Sequence, residues 1–209
     1  MPADPYLIPG TTILANKLGI RDAEQLREAE FALTRANALS AMQYADRQRV
    51  IGERTWRGIH RRLFGDVYAW AGRYRTTELR KGQDAFAPRR AIAGYADASI
   101  LPMFRAAAAT TENDRTRFIS ALARCWAELN YLHPFREGNG RATHILVNAL
   151  AHRHGVDIHW PSIPRDEEIA AAKAGNRQDY AGYAHLLDLA LRPWDRASRP
   201  EDFWPPRDR

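Results

Sequence analysis

Apolar residues recur at helical spacing along most of the chain. From Asp22, whose carboxylate can accept from the free N–H groups of a helix start, to about Leu39, the residues Leu26, Ala29, Leu33 and Ala36 share one face. A second stripe, Trp56, Ile59, Leu63, Phe64 and Val67, runs through residues 46–68 and is broken at Gly72. A helical stretch follows over 90–109, interrupted by Pro102. The next begins at Asn113 or Asp114 and carries Phe118, Leu122, Cys125, Trp126 and Leu129. It must stop near Tyr131, because Pro134 disfavours helix at the residue before it. A helix over 140–155 ends at Gly155, and shorter ones are expected at 165–175 and 179–191. One stretch departs from this period. Residues 74–88, YRTTELRKGQDAFAP, set Tyr, Thr and Phe around Lys81-Gly82-Gln83-Asp84 and predict a short β-hairpin. Two strands alone are marginal in water, so the hairpin must lean on helices or pair with something else. Residues 1–20, with Pro2, Pro5, Pro9 and Gly10, predict an irregular lead-in, and 193–209 a peripheral tail. The expectation is a mainly α fold: one helical domain over 21–192 carrying a hairpin.

Composition narrows the class without naming a function. At 209 residues, 45% hydrophobic and 27% charged, the chain is an ordinary globular sequence. It shows no internal repeat. No stretch approaches 18 consecutive apolar residues, so no membrane partner is expected. The first residues, MPADPYLIPG, lack a basic segment followed by an apolar one, and Cys125 is the single cysteine; both make the cytoplasm the expected location. The formal charge is +6, and 28 of the 31 basic residues are arginine. Residues 47–90 hold twelve Lys/Arg against four Asp/Glu, so the surplus is local. No nucleic-acid-binding motif accompanies it, and nucleic acid is not an expected partner. Its place beside the segment described next favours a polyanionic ligand or an acidic partner segment.

Chemistry concentrates in His133-Pro134-Phe135-Arg136-Glu137-Gly138-Asn139-Gly140-Arg141, between the end of one helix and the start of another. Glycines on both sides of Asn139 let backbone N–H groups turn inward as an anion nest, and the following helix adds its own free N–H groups. Arg141 supplies a bidentate phosphate donor, Glu137 can hold a divalent cation, and His133 can take a proton near neutral pH. An ordinary helix–loop–helix with GNG as cap and turn is the alternative, and the His, Glu and Arg at these positions weigh against it. No GxxxxGK[ST] P-loop is present. His144 and His152 stand eight apart on one helix, without an HExxH or Cys/His framework that would suggest zinc. His60, His159 and His185 are expected to be structural or at the surface, Cys125 a buried small hydrophobe, and Trp56, Trp70 and Trp126 core.

HPFREGNGR at 133–141 resembles the Fic-family motif HxFx[D/E]GNGRxxR at every specified position through Arg141. LFGDVYAWAG at 63–72 and the hairpin after it are similar to the helix-to-flap region of that family, and the likeness spans roughly residues 5–192. The resemblance implies a helical domain whose flap, about 74–88, docks an extended segment of a target protein by strand addition. It implies transfer of AMP from ATP to a Ser, Thr or Tyr hydroxyl, by a toxin or effector-like modifier. On that likeness His133 is the base and Glu137 the Mg²⁺ ligand. Gly138, Asn139 and Gly140 hold the α/β-phosphates, Arg141 contacts the β-phosphate, and Phe135 anchors the loop. Lys81 and Gly82 are flap positions near nucleotide and target, and Asn176 falls where the family contacts the nucleoside. His144 stands where the family has a second arginine, which grips the γ-phosphate. That departure leaves open transfer of another phosphate-containing group (UMP, phosphate or phosphocholine) or a binding module without transfer. Of the two E[G/N] pairs, Glu112-Asn113 and Glu137-Gly138, neither has Ser or Thr four residues earlier, so an in-chain inhibitory helix is not expected. A separate small antitoxin carrying such a helix is the expected partner. Delivery into another cell as an effector is the second expectation for location.

Overall fold

In the computed structural model the described residues are 4–82, 84–109 and 114–195. The fold is mainly α. Helix α1, Ala23–Asp46, starts where Asp22 accepts the Gln25 N–H at 2.9 Å. It runs a further two turns past the expected end, and its buried face differs from the apolar stripe. Leu26, Glu30, Thr34, Ala38, Ala41 and Ala45 are buried, while Ala36 is exposed. Helix α2, Glu53–Phe64, keeps the predicted stripe, and Trp56, Ile59, Leu63, Phe64 and Val67 are all buried. The chain reverses at Gly72, whose φ of +75° glycine adopts freely.

The hairpin is short: β1, Arg80–Lys81, pairs antiparallel with β2, Asp84–Ala85, Arg80 opposite Ala85 and Lys81 opposite Asp84. Gln83 in its turn lies outside the described residues. The stretch expected as one helix over 90–109 is three pieces: a 3₁₀ turn at Arg89–Ala91, a π-helical turn at Ala96–Ile100, and α3, Leu101–Ala108. Pro102 does not interrupt α3; it is the second residue of it. Its ring excludes the carbonyl four residues back, and the widened π turn just before absorbs the misfit.

Helix α4, Arg115–Leu132, is capped by Asp114, which accepts from Arg117 N–H at 3.0 Å. The alternative start at Asn113 lies outside the described residues, as do Glu112 and the tail 196–209. After α5, Asn139–His152, the chain turns at Gly155 and forms a strand pair the sequence did not suggest. In it β3, Val156–Ile158, lies antiparallel to β4, Leu191–Pro193, with Asp157 opposite Arg192. Between these strands come α6, Arg165–Gly175, and α7, Ala181–Ala190.

Helix α4 is the central packing element, touching α3, α5, α6 and α7, while α1 and α2 pack on each other and on α5. Leu122, Trp126 and Leu129 of α4 meet Ile145, Leu146 and Ala149 of α5 in one buried cluster. Cys125 is buried in the same cluster, and burial pushes its thiol well above the usual range. The loop between α4 and α5 thus hangs from two rigid helix ends.

Candidate active site

The apolar stripe of α4 runs out at Leu132, and Pro134 forbids another helical residue before it. His133 takes the left-handed conformation instead, φ +42° and ψ +60°. For a residue with a Cβ this costs about 1–3 kcal/mol and persists only where neighbours over-determine it. Those neighbours are present. The His133 N–H donates to Leu129 O, and its carbonyl accepts from Arg75 Nε at 2.8 Å. Its ring stacks on Phe86 at 3.7 Å and 11°. Nδ1 lies 3.0 Å from Asn130 O; a carbonyl only accepts, so Nδ1 carries the proton and Nε2 keeps its lone pair. Burial pushes the imidazole down to about 4, against the Asn130 carbonyl bond and with help from the charges of Arg75 and Lys81. At neutral pH His133 is an unprotonated base with one free nitrogen.

Phe135 is fully buried and meets Trp56 edge-on at 5.6 Å. Asn139 locks the turn around it: its Oδ1 accepts from the Phe135 N–H, and its Nδ2 donates to the Phe135 carbonyl, both at 2.8 Å. The Asn139 side chain is therefore committed to the loop, and what it can offer a ligand is its backbone N–H. His60, buried in α2, braces the far side. Its Nδ1 accepts from Gly72 N–H at 2.9 Å, which leaves the proton on Nε2 to donate to Glu137 O at 2.9 Å. Burial, opposed by the Glu137 carbonyl and aided by Arg141, pushes His60 down to about 3, so it serves as a neutral bracket. Gly138 has φ +76°, and the Phe64 ring fills the space a Cβ would need. The half-exposed Glu137 carboxylate accepts the Gly138 N–H at 2.8 Å and lies 3.9 Å from Arg141. The first-turn N–H groups of α5, beginning at Asn139, have no partner within the helix.

Arg141 is held from α1: Nη1 donates to Thr34 Oγ1 at 3.0 Å and Nη2 to Glu30 Oε1 at 2.5 Å. The guanidinium also lies over the Phe64 ring at 4.6 Å. Glu30 in turn accepts from the Tyr68 hydroxyl. His144, one turn further along α5, has its outer ring nitrogen engaged. Its Nε2 is 2.6 Å from Glu168 Oε1 of α6, and its ring stacks on Trp160 at 3.9 Å. Burial alone would raise the Glu168 carboxyl. The charge and hydrogen bond of His144 outweigh that, with Arg165 and Lys81 adding, so it lies below its usual range. Lys81 and Gly82 are exposed at the hairpin tip, and the field of Lys81 reaches both His133 and Glu168. Asn176 caps the end of α6, and its Oδ1 is buried with no partner among the described residues. His152 lies away from this cluster, between Asp46 at 2.8 Å and Asp157 at 3.0 Å.

Several supporting residues were not singled out by sequence reasoning: Arg75, Glu30, Thr34, Glu168, Phe86 and Asp4, which accepts from Arg136 at 2.9 Å. Glu30 and Thr34 fall at i, i+4 on the face of α1 that packs, where a polar residue needs a buried partner, but the apolar stripe does not mark that face.

Comparison with known proteins adds the following. Residues 51–151 match the Fic/DOC family. The chain is 32% identical over 195 residues to protein adenylyltransferase VbhT of Bartonella schoenbuchensis, covering 90% of this chain and 38% of that one. It is 31% identical over 176 residues to "Probable protein adenylyltransferase Fic" of Escherichia coli K12, covering 84% and 86%. Among solved structures, the N-terminal Fic domain of a VirB-translocated Bep effector protein from Bartonella quintana, with bound ADP, superposes with a TM-score of 0.81. That match is at 22% identity and covers 90% of this chain and 94% of that one. This likeness concerns the fold.

Proposed function

The chain belongs to the Fic/DOC family, and from that premise we propose that it is a protein adenylyltransferase, moving AMP from ATP to a Ser, Thr or Tyr hydroxyl of a target protein. One observation carries the reading. An unprotonated imidazole with its free nitrogen fixed stands at one end of a loop, and a helix N-terminus with unpartnered N–H groups stands at the other. The hydroxyl oxygen attacks the α-phosphorus, its proton passes to His133 Nε2, and the bond to the bridging oxygen breaks to release pyrophosphate. Such a displacement asks the protein for position, charge complementarity and one proton acceptor. Asn139 and Gly140 offer free backbone N–H groups to the phosphates, while the Gly138 N–H is donated to the Glu137 carboxylate and must leave it to join them. Arg141, held by Glu30 and Thr34, lies 3.9 Å from Glu137 beside them. Gly140 is exposed, and a Cβ there would meet no protein atom, which leaves room for phosphate to approach the backbone. Lys81 and Gly82 sit on the hairpin that docks the target, and Asn176 Oδ1, an acceptor unsatisfied among the described residues, must be uncovered before a nucleoside reaches it.

Mg²⁺ fits this donor set. It is held by one or two carboxylates together with substrate phosphates, and Glu137 supplies a half-exposed carboxylate beside the nest. When bound there it neutralises phosphate charge.

Incubation with α- and γ-labelled ATP and cell lysate tests the reading. Label is expected on protein from the α position alone, and His133→Ala should reduce it by about 10²–10⁴-fold. Label from γ alone would replace the reading with phosphoryl transfer. No label from either would favour a binding module, a second reading that the His144–Glu168 pair supports, because it leaves no arginine at that position. A small antitoxin remains the partner we propose for regulation, and delivery as an effector the alternative to a cytoplasmic role.

A further inference from the structure

Arg75 is 3% exposed, yet the nearest carboxylate, Glu78, is 3.6 Å away and largely in solvent. A buried guanidinium needs its five N–H donors satisfied. Here four bonds go to carbonyls from two different segments. Nε donates to His133 O at 2.8 Å and Nη2 reaches Leu132 O at 3.5 Å, both at the C-terminus of α4. Nη1 donates to Thr77 O at 2.8 Å, and Nη2 also to Ala87 O, on the two arms leading to the hairpin. Backbone bonds repeat the link: Arg75 N–H to Pro134 O at 2.8 Å and Ala87 N–H to Tyr131 O at 3.0 Å. Carbonyls at a helix C-terminus carry its negative dipole end, which helps compensate a buried cation whose one carboxylate neighbour is largely in solvent.

Two mechanical facts follow. The left-handed turn at His133 is unfavourable for its side chain, and the bond to its carbonyl is one of the few contacts that hold it. The hairpin has two residues in each strand, too few to hold a shape by themselves. One side chain is bonded to both.

We propose that Arg75 is a positioning residue of the transfer reaction, fastening the base of the target-docking hairpin to the backbone of His133 so that the docked hydroxyl and the accepting nitrogen keep one register. The proposal rests on the adenylyltransferase reading. Arg75 touches neither nucleotide nor hydroxyl; it acts through His133, Thr77 and Ala87. Its charge, with that of Lys81 from the hairpin tip, also disfavours protonation of His133.

The test uses the full chain with Arg75→Gln and Arg75→Lys. Four readouts are taken: thermal unfolding, nucleotide affinity, kcat and KM for the target, and the midpoint of the His133 imidazole by NMR titration. Arg75→Gln is expected to keep nucleotide affinity, lower kcat by about 10²-fold as for a misplacement of order 1 Å, raise the target KM and move the His133 midpoint up. Arg75→Lys keeps the charge but not the fork, and should retain the low midpoint while still losing kcat. If Arg75→Gln does not fold, Arg75→Lys decides the matter by that same split. Wild-type kcat in either folded variant overturns the proposal, as does a loss confined to nucleotide affinity. If the wild type transfers no AMP, the adenylyltransferase reading fails, and the His133 midpoint still judges Arg75: an unchanged midpoint in Arg75→Gln would sink it.

Discussion

A Cβ added to Gly138 would come within 2.1 Å of Phe64 Cζ, on a backbone at φ +76°; one added to Gly140, two residues on, would meet nothing. The first glycine is demanded by the fold, the second by nothing in the protein. Gly138→Ala should therefore lower the melting temperature, and Gly140→Ala should leave it unchanged or slightly raised, since glycine inside a helix is about 0.5–1 kcal/mol less favourable than alanine. Nucleotide binding should weaken in Gly140→Ala all the same. Unfolding curves beside a nucleotide titration check both, and undiminished affinity in Gly140→Ala would remove it from the phosphate site. At this scale the sequence was informative about local layout: His133 caps α4, Glu137 and Gly138 lie in the loop, and Asn139, Gly140 and Arg141 form the first turn of α5. It was uninformative about the brackets. Arg75 is one of twelve basic residues in 47–90, and nothing in residue type separates the one that is buried. Asn139 suggested a ligand contact, whereas its side chain ties the turn to Phe135.

Between elements, the contact of α5 with α6 decides what His144 can do. An imidazole bonded to Glu168 and stacked on Trp160 is a wedge between helices rather than a phosphate grip. An arginine placed there would meet the same carboxylate. His144→Arg should raise autoadenylylation, and His144→Arg with Glu168→Gln should raise it more, because the new guanidinium is then free to turn toward phosphate. No gain in either protein would refute the idea that this position limits transfer. Helix periodicity located α4, α5 and α6 to within three residues and placed α2 inside a wider stretch, because each has enough buried apolar residues at helical spacing to show through the polar ones it also buries. It shortened α1 and chose the wrong face, because Glu30 and Thr34 are polar residues on the packed side, retained there to hold Arg141. The strand pair at 156–158 and 191–193 escaped notice for a different reason. Three residues a side are too short for an alternating pattern, and their pairing depends on Asp157 and Arg192 meeting across 35 positions.

Over the whole molecule, buried histidines couple stability to pH. His133 and His60 stay unprotonated in the folded chain down to about 4 and about 3, whereas in the unfolded chain they take protons near the ordinary 6.5. The stability tied to them is full above 6.5 and falls as pH drops toward those values, at about 1.4 kcal/mol per pH unit for each. His152 acts in the opposite sense. Burial alone would lower it, but bonds to Asp157 and Asp46 raise it, so its contribution is present below 6.5 and is lost as pH rises through its folded value. Unfolding measured from pH 7 to pH 4 should show a decline that begins above the carboxylate range. A flat profile there would mean that these two imidazoles are not held neutral.

Residues 51–151 carry the family signature, but the parts that steady it lie on both sides. Asp4 grips Arg136, Tyr6 Oη accepts the Thr76 N–H at 3.0 Å, Glu30 and Thr34 hold Arg141, and Glu168 wedges His144. A fragment cut to the signature would keep every nominal active-site side chain except Asn176 and lose the scaffolding that aims them. The irregular lead-in is a tether, joining the hairpin arm and the loop between α4 and α5 to one strip of chain. Fusion partners or tags are better placed so as to leave that strip undisturbed.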